Sequence, residues 1–198
     1  MRIFVAGASG VLGVRLVPLL VGAGHQVAGM TRSPNEAARL RGLGVEPVVC
    51  DVFDAEALTK VVGTFAPEVV VDQLTDLPDA SGDLPKYRER NDRMRTEGTR
   101  NLLSATRGAG ASRVVAQSIA WEHPDERARA AVARHERSIL DSGGTVVRYG
   151  QLYGPDTFYP SDPPPPPRIH VEDAARRTVP TIDAPAGVIV LTEPLPGT

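Results

Sequence analysis

The chain has 198 residues, enough for one domain with a sizeable core and little more. Its 24 acidic and 22 basic side chains leave a net charge of −2, which gives no general attraction for nucleic acid or an anionic membrane and makes a small molecule the expected partner. A single cysteine, Cys50, excludes an intrachain disulfide and cysteine-type metal sites; with no leader pattern and no apolar run of roughly 18 residues, a soluble cytoplasmic protein without a metal is expected.

A β-branched, apolar run predicts the first strand at Arg2 to Ala6, and a helix follows from Val11 to Val21. Strands at Gln26 to Met30 and Glu46 to Cys50 flank a helix at Pro34 to Leu43, and Asp54 caps a helix at Ala55 to Phe65. Next come a strand at Glu68 to Leu74, a long helix at Lys86 to Arg107, a strand at Arg113 to Ser118 and a fifth helix at Glu126 to Leu140. Strands at Thr145 to Tyr149 and Val188 to Leu191 complete the series, with a short helix between them at Val171 to Val179. Gly24, Gly44, Gly110 and Gly143 stand where helices should stop. Strands alternating with helices predict a doubly wound parallel sheet of about seven strands, a Rossmann-type α/β fold. Residues 1–198 read as one dinucleotide-binding domain, with 154–198 as its short Pro-rich C-terminal segment on the substrate side. Pro163 to Pro167 should form a stiff, extended surface connector.

The first strand runs straight into Gly7-Ala8-Ser9-Gly10-Val11-Leu12-Gly13 and then a helix. Gly7 would permit the tight turn, Gly10 the close approach of a pyrophosphate, and Gly13 close helix packing, while Ser9, Val11 and Leu12 supply donors at a positive helix end. Enzymes that use NAD usually place a carboxylate after the second strand to accept from the adenosine ribose. Here Thr31-Arg32-Ser33 stands instead, with no acid from His25 to Asn35, so Arg32 is expected to pair with a 2′-phosphate and NADP(H) is expected over NAD(H). Asp51 and Val52 after the third strand suit the adenine ring, and Gln73, Leu74 and Thr75 end the fourth strand beside the topological switch point.

These residues, with Val114-Val115-Ala116-Gln117-Ser118, Arg148-Tyr149-Gly150-Gln151-Leu152-Tyr153-Gly154-Pro155 and Ile169-His170-Val171-Glu172-Asp173-Ala174-Ala175, resemble the short-chain dehydrogenase/reductase superfamily, in its extended or atypical NAD-dependent epimerase/dehydratase branch. The resemblance implies an active-site position for Ser118, a path past the nicotinamide for Arg148 to Tyr153 that includes Tyr149 and Gln151, and a pocket-closing helix that begins at His170 to Asp173. It also implies a homodimer through the fourth and fifth helices.

The departures from that family are specific. Its catalytic tyrosine and lysine lie four residues apart on the fifth helix, with a glutamate four further on. With Glu136 as that glutamate, Val132 and Ala128 occupy the lysine and tyrosine positions, and this helix holds neither residue type in any register. His135, about two turns beyond Ala128, is the alternative acid or base, with a partly exposed surface histidine as the plainer expectation. Two functions fit these residues. One is an NADP(H)-dependent oxidoreductase or epimerase-type enzyme acting on a small metabolite or sugar-like substrate, by redox chemistry or by a non-redox isomerisation or cyclisation, with Ser118 orienting the substrate. The other is an inactive dinucleotide-binding regulatory or redox-sensing module.

Overall fold

Parallel pairing orders the strands of the computed structural model, which describes residues 1–78 and 81–194. Strands β1 (Arg2–Ala6), β2 (Gln26–Thr31), β3 (Glu46–Val49), β4 (Val69–Asp72), β5 (Arg113–Ile119), β6 (Thr145–Tyr149) and β9 (Gly187–Leu191) form one sheet in the order β3-β2-β1-β4-β5-β6-β9. Every adjacent pair is parallel. The chain therefore leaves β1 toward β2 on one side and returns to β4 on the other, and the crevice at that reversal is where such sheets bind ligands. Strand β1 is buried on both faces, which explains its unbroken apolar run.

Alternate side chains of the strands supply two core layers. Ile3, Val5, Val71, Val115 and Val147 face α1 (Gly13–Gly22) and α7 (Val171–Thr178). Phe4, Ala6, Met30 and Val70 face α3 (Ala55–Phe65) and α5 (Thr99–Gly108). Helix α2 (Pro34–Gly42) packs Leu40 into the first layer. Helices α4 (Leu84–Arg93) and α6 (Glu126–Asp141) adjoin the second. All four glycines expected at helix ends adopt positive φ, from +71° to +82°. Asp54 and Ser33 accept from the first turns of α3 and α2.

The structure departs from the sequence expectation in three places. The long fourth helix is divided by a π-helical turn over Met94–Gly98, where the missing side chain of Gly98 lets the backbone approach Met94 Sδ and Val52. Strands β7 (Gln151–Tyr153) and β8 (Arg168–His170), absent from the expectation, pair with each other outside the main sheet. The proline run is held in place rather than left as a free connector: Arg168 donates to the Pro164 carbonyl and Gln151 to those of Pro165 and Pro167.

Arg15, in the first turn after the glycine loop, ties these later segments to α1. Its guanidinium donates to the carbonyls of Val11 and Pro155, to Asp156 and to Glu172 on α7. Among the described residues no helix is long and apolar enough to cross a membrane.

Candidate functional site

The glycine loop separates packing from ligand access residue by residue. A Cβ on Gly7, at φ +82°, would lie 2.7 Å from the Gln73 carbonyl oxygen, and one on Gly13 would lie 2.3 Å from that of Gly7. Both glycines are demanded by the protein itself. Gly10 differs: it is exposed, and a Cβ there would meet only the Gly7 oxygen, at 3.3 Å. Gly10 stands just before the N-terminus of α1, where the Val11 and Leu12 amides make no hydrogen bond among the described residues. A phosphate fits that cradle, since unpaired amides and the helix dipole both favour an anion, and a side chain on Gly10 would fill it. Ser9 shares a 2.8 Å hydrogen bond with Thr31, which joins the loop to the end of β2.

At the adenosine end, Arg32 does not stand free. It donates at 3.3 Å to Asp76, a buried carboxylate just beyond β4 that also receives two hydrogen bonds from Arg90 of α4. Nothing local in the sequence marks this cluster, because Asp76 and Arg90 lie 44 and 58 positions beyond Arg32 and share no motif with it. Asp51 is exposed and accepts from the Phe53 amide, while Val52 is buried beside it. At the end of β4 only Thr75 is exposed; Gln73 is buried against Gly7, and Leu74 is half-buried.

The β5–α6 region departs furthest from the expectation. Ser118 is 3% exposed and donates at 2.6 Å to Glu136, so its hydroxyl is engaged within the protein and is not presented to a substrate. Arg148, beside Ser118 in the β5–β6 register, grips the same carboxylate through Nε at 2.9 Å and Nη2 at 2.5 Å. Burial alone would raise the Glu136 pKa, but the bonds from Arg148 and Ser118 outweigh it and hold the group below the usual glutamate range. His135, expected at the surface, is 4% exposed. Its Nε2 lies 2.9 Å from the Gln117 carbonyl and its Nδ1 2.7 Å from the Thr99 hydroxyl. A carbonyl only accepts, so Nε2 is the donor, and neither ring nitrogen is left for a substrate.

Ala128 is buried at 2%, which leaves no room there for a reacting side chain. Tyr149 is also inside: its hydroxyl bonds Thr178 at 2.6 Å, and burial pushes its pKa up to about 12. It packs rather than lining a nicotinamide path, whereas Gln151 stays half-exposed on β7. Asp72, at the inner end of β4, is fully buried; desolvation raises its pKa against the opposing influence of His135 and the Leu74 amide. Trp121, His123, Arg129, Val132, Glu136 and Arg148 help to line an open cavity of about 380 Å³ between α6 and the carboxyl ends of β5 and β6. His170 caps α7, accepting from the Glu172 amide. No cluster of metal-ligating side chains occurs among the described residues.

Residues 7–142 match the NAD(P)H-binding family, and the chain belongs to it. Among its relatives is the 3-diazoavenalumate denitrifying reductase of a Streptomyces species, 40% identical over 185 residues, an alignment covering 82% of this chain and 60% of that protein. The 3-beta-hydroxysteroid dehydrogenase of Mycolicibacterium neoaurum is 31% identical over 114 residues, 58% of this chain and 31% of that protein. The chain thus spans less than two thirds of either relative. Its fold is shared with the Thermus thermophilus UDP-glucose 4-epimerase crystallised with NAD, at a TM-score of 0.76 and 19% identity over 97% of this chain and 78% of that one. The Bordetella bronchiseptica enzyme WbmH in complex with NAD+ gives 0.74 and 17%, over 97% and 75%.

Proposed function

We propose that this chain forms the NADP(H)-binding core of a reductase whose substrate needs no proton from the protein. The observation that carries the reading is the state of α6 and of Ser118 on β5 beside it: Ala128 is packed, Val132 is aliphatic, and His135 and Ser118 are both hydrogen-bonded internally. An ordinary carbonyl reduction creates an alkoxide that must be protonated, and positioned general acids commonly contribute about 10²–10⁴-fold in rate. None of these residues supplies such an acid.

When bound, a reduced nicotinamide supplies hydride. The chain's share is to hold the pyrophosphate at Gly10, the adenine at Asp51 and Val52, the ribose near Thr75 and Gln151, and the 2′-phosphate at Arg32. The relative named as a denitrifying reductase of a diazo acid supports a substrate of matching chemistry. A diazonium carbon that accepts hydride gains its new C–H bond while the C–N electron pair leaves with dinitrogen, so R–N2⁺ plus H⁻ gives R–H plus N2. Charge and atoms balance without a proton donor. The open cavity beside Trp121, bordered by Arg129 as well as by the carboxylates of Glu122 and Glu136, has room for an aromatic ring.

The test follows NADPH absorbance and N2 release with an arenediazonium carboxylate, using 4-deuterated cofactor to mark the hydrogen delivered. Deuterium at the vacated carbon, a pH-insensitive rate and inert ketones are expected. Rapid reduction of a conventional ketone with a phenol-like pH profile overturns the reading. The internal bonding of Ser118 and His135 also suits a binding module without turnover, which would leave NADPH unoxidised whatever electrophile is supplied.

A further inference from the structure

We propose that Arg90 sets the cofactor preference indirectly, by keeping Asp76 paired so that Arg32 is free to move to the 2′-phosphate. The inference rests on the NADP(H) reading above. Asp76 has a side chain only 6% exposed, and a carboxylate buried to that degree strongly resists losing its last cation. Two guanidiniums serve it unequally. Arg90 donates Nε to Oδ2 and Nη2 to Oδ1, each at 3.1 Å, and its guanidinium lies 4.5 Å from the centre of the Tyr87 ring. The neighbouring Asn91 accepts from the Asp76 amide at 3.2 Å, so α4 holds this residue by both main chain and side chain. Arg32 contributes one contact, at 3.3 Å; the two arginine side chains are similarly exposed, 45% for Arg32 and 52% for Arg90, so the difference lies in the number and length of their bonds.

The weaker partner is also the one that reaches across the crevice. Arg32 follows β2 and Asp76 follows β4, with β1 between them, so the contact spans about two strand spacings, roughly 10 Å, beside the Gly7 turn. A phosphate carrying nearly two charges competes well for one long, half-solvated contact. In the exchange Arg32 gives up one bond to Asp76, and the carboxylate keeps both bonds from Arg90. No buried charge is stranded. Without Arg90, Arg32 becomes the only cation bonded to Asp76 among the described residues, and a 2′-phosphate would have to strip it away. Arg90 is therefore a positioning residue, and its effect should appear only with ligands that carry the 2′-phosphate.

Calorimetric titration of 2′,5′-ADP against 5′-AMP isolates that group, with 5′-AMP binding reporting that each variant retains its fold. Arg90→Ala should lower the preference for 2′,5′-ADP by about tenfold or more, with little change for 5′-AMP. Adding Asp76→Asn to it should restore the preference, since an amide no longer holds Arg32. A preference unchanged in Arg90→Ala overturns the inference, as does one that falls and is not rescued, which would make Arg90 a direct phosphate ligand. A wild-type protein that binds the two nucleotides equally overturns the NADP(H) reading itself. A preference lost in Arg32→Ala but intact in Arg90→Ala overturns this inference alone.

Discussion

At the carboxyl end of β1 the chain leaves polar groups unspent: among the described residues the Val11 and Leu12 amides have no partner, and a side chain on Gly10 would meet only the Gly7 oxygen. At the carboxyl end of β5 it spends everything, with Ser118, Glu136 and Arg148 satisfying one another and His135 bonded through both nitrogens. The two ends belong to one sheet, yet one is built to receive and the other to hold itself together. Unpaired groups that can reach solvent cost little until a ligand claims them, whereas the buried groups near β5 would be costly unpaired. Affinity for a dinucleotide and the arrangement around Ser118 are thus separable parts of this fold.

The sharpest way to test the contrast is within the loop itself. Gly13→Val should destabilise the domain by about 3 kcal/mol or more, because its Cβ would lie 2.3 Å from the Gly7 carbonyl oxygen and backbone cannot yield as a side chain can. Gly10→Val should leave a thermal melt almost unchanged while dinucleotide affinity falls by about 100-fold or more, the steric counterpart of a blocked phosphate cradle. If Gly10→Val binds NADPH normally, the loop does not hold the pyrophosphate.

A smaller effect is expected at the β5 end. Arg148→Met should cost about 2 kcal/mol by leaving Glu136 without its cation, a figure tempered by the 40% exposure of the arginine side chain. The pH dependence follows from the depressed Glu136 pKa. A carboxylate stabilised in the folded state contributes fully above its unfolded value, near 4.3, and that contribution is lost as pH falls through the lower folded value. The melting difference between wild type and Arg148→Met should therefore be largest at neutral pH and shrink on acidification. A difference that grows in acid would contradict the pairing.

Smallest of all is Tyr149→Phe, which removes the hydroxyl bonded to Thr178 and should cost about 1 kcal/mol, a few degrees in melting temperature. Cofactor affinity should not change. A large loss of NADPH binding in this variant would return Tyr149 to the nicotinamide path that its burial argues against.

The alternation of strands and helices, the helix-ending glycines and the glycine loop were legible because each rests on local chemistry: side-chain period, left-handed backbone and the space around a turn. The seven strands were placed to within about two residues of their observed ends, the uncertainty expected of element boundaries. The long helix was another matter, since its π turn depends on Gly98 meeting Val52, a neighbour 46 positions away. Burial of His135 was hidden for the same kind of reason. Its partners are Thr99 on α5 and a β5 carbonyl, and a histidine among arginines looks solvated until those elements pack. The spacing of Glu136 from Ala128 and Val132 pointed to what α6 lacks, but not to the serine and arginine that Glu136 would hold.

Arg15 carries a consequence for how the molecule comes together. Its partners Asp156 and Glu172 lie 141 and 157 positions later in the chain, so the first turn of α1 is braced by segments made long after it. Contacts of such separation must close a long loop before they contribute, which tends to slow folding. Residues 7–142, the stretch that matches the family, contain Arg15 but neither acid, and they also lack β6 and β9. On a ribosome the nucleotide cradle would wait for β7 and α7 before its helix is fully secured. A fragment ending near residue 142 should accordingly show a loosened α1 in hydrogen exchange, with its protection restored only when the later strands and α7 are supplied.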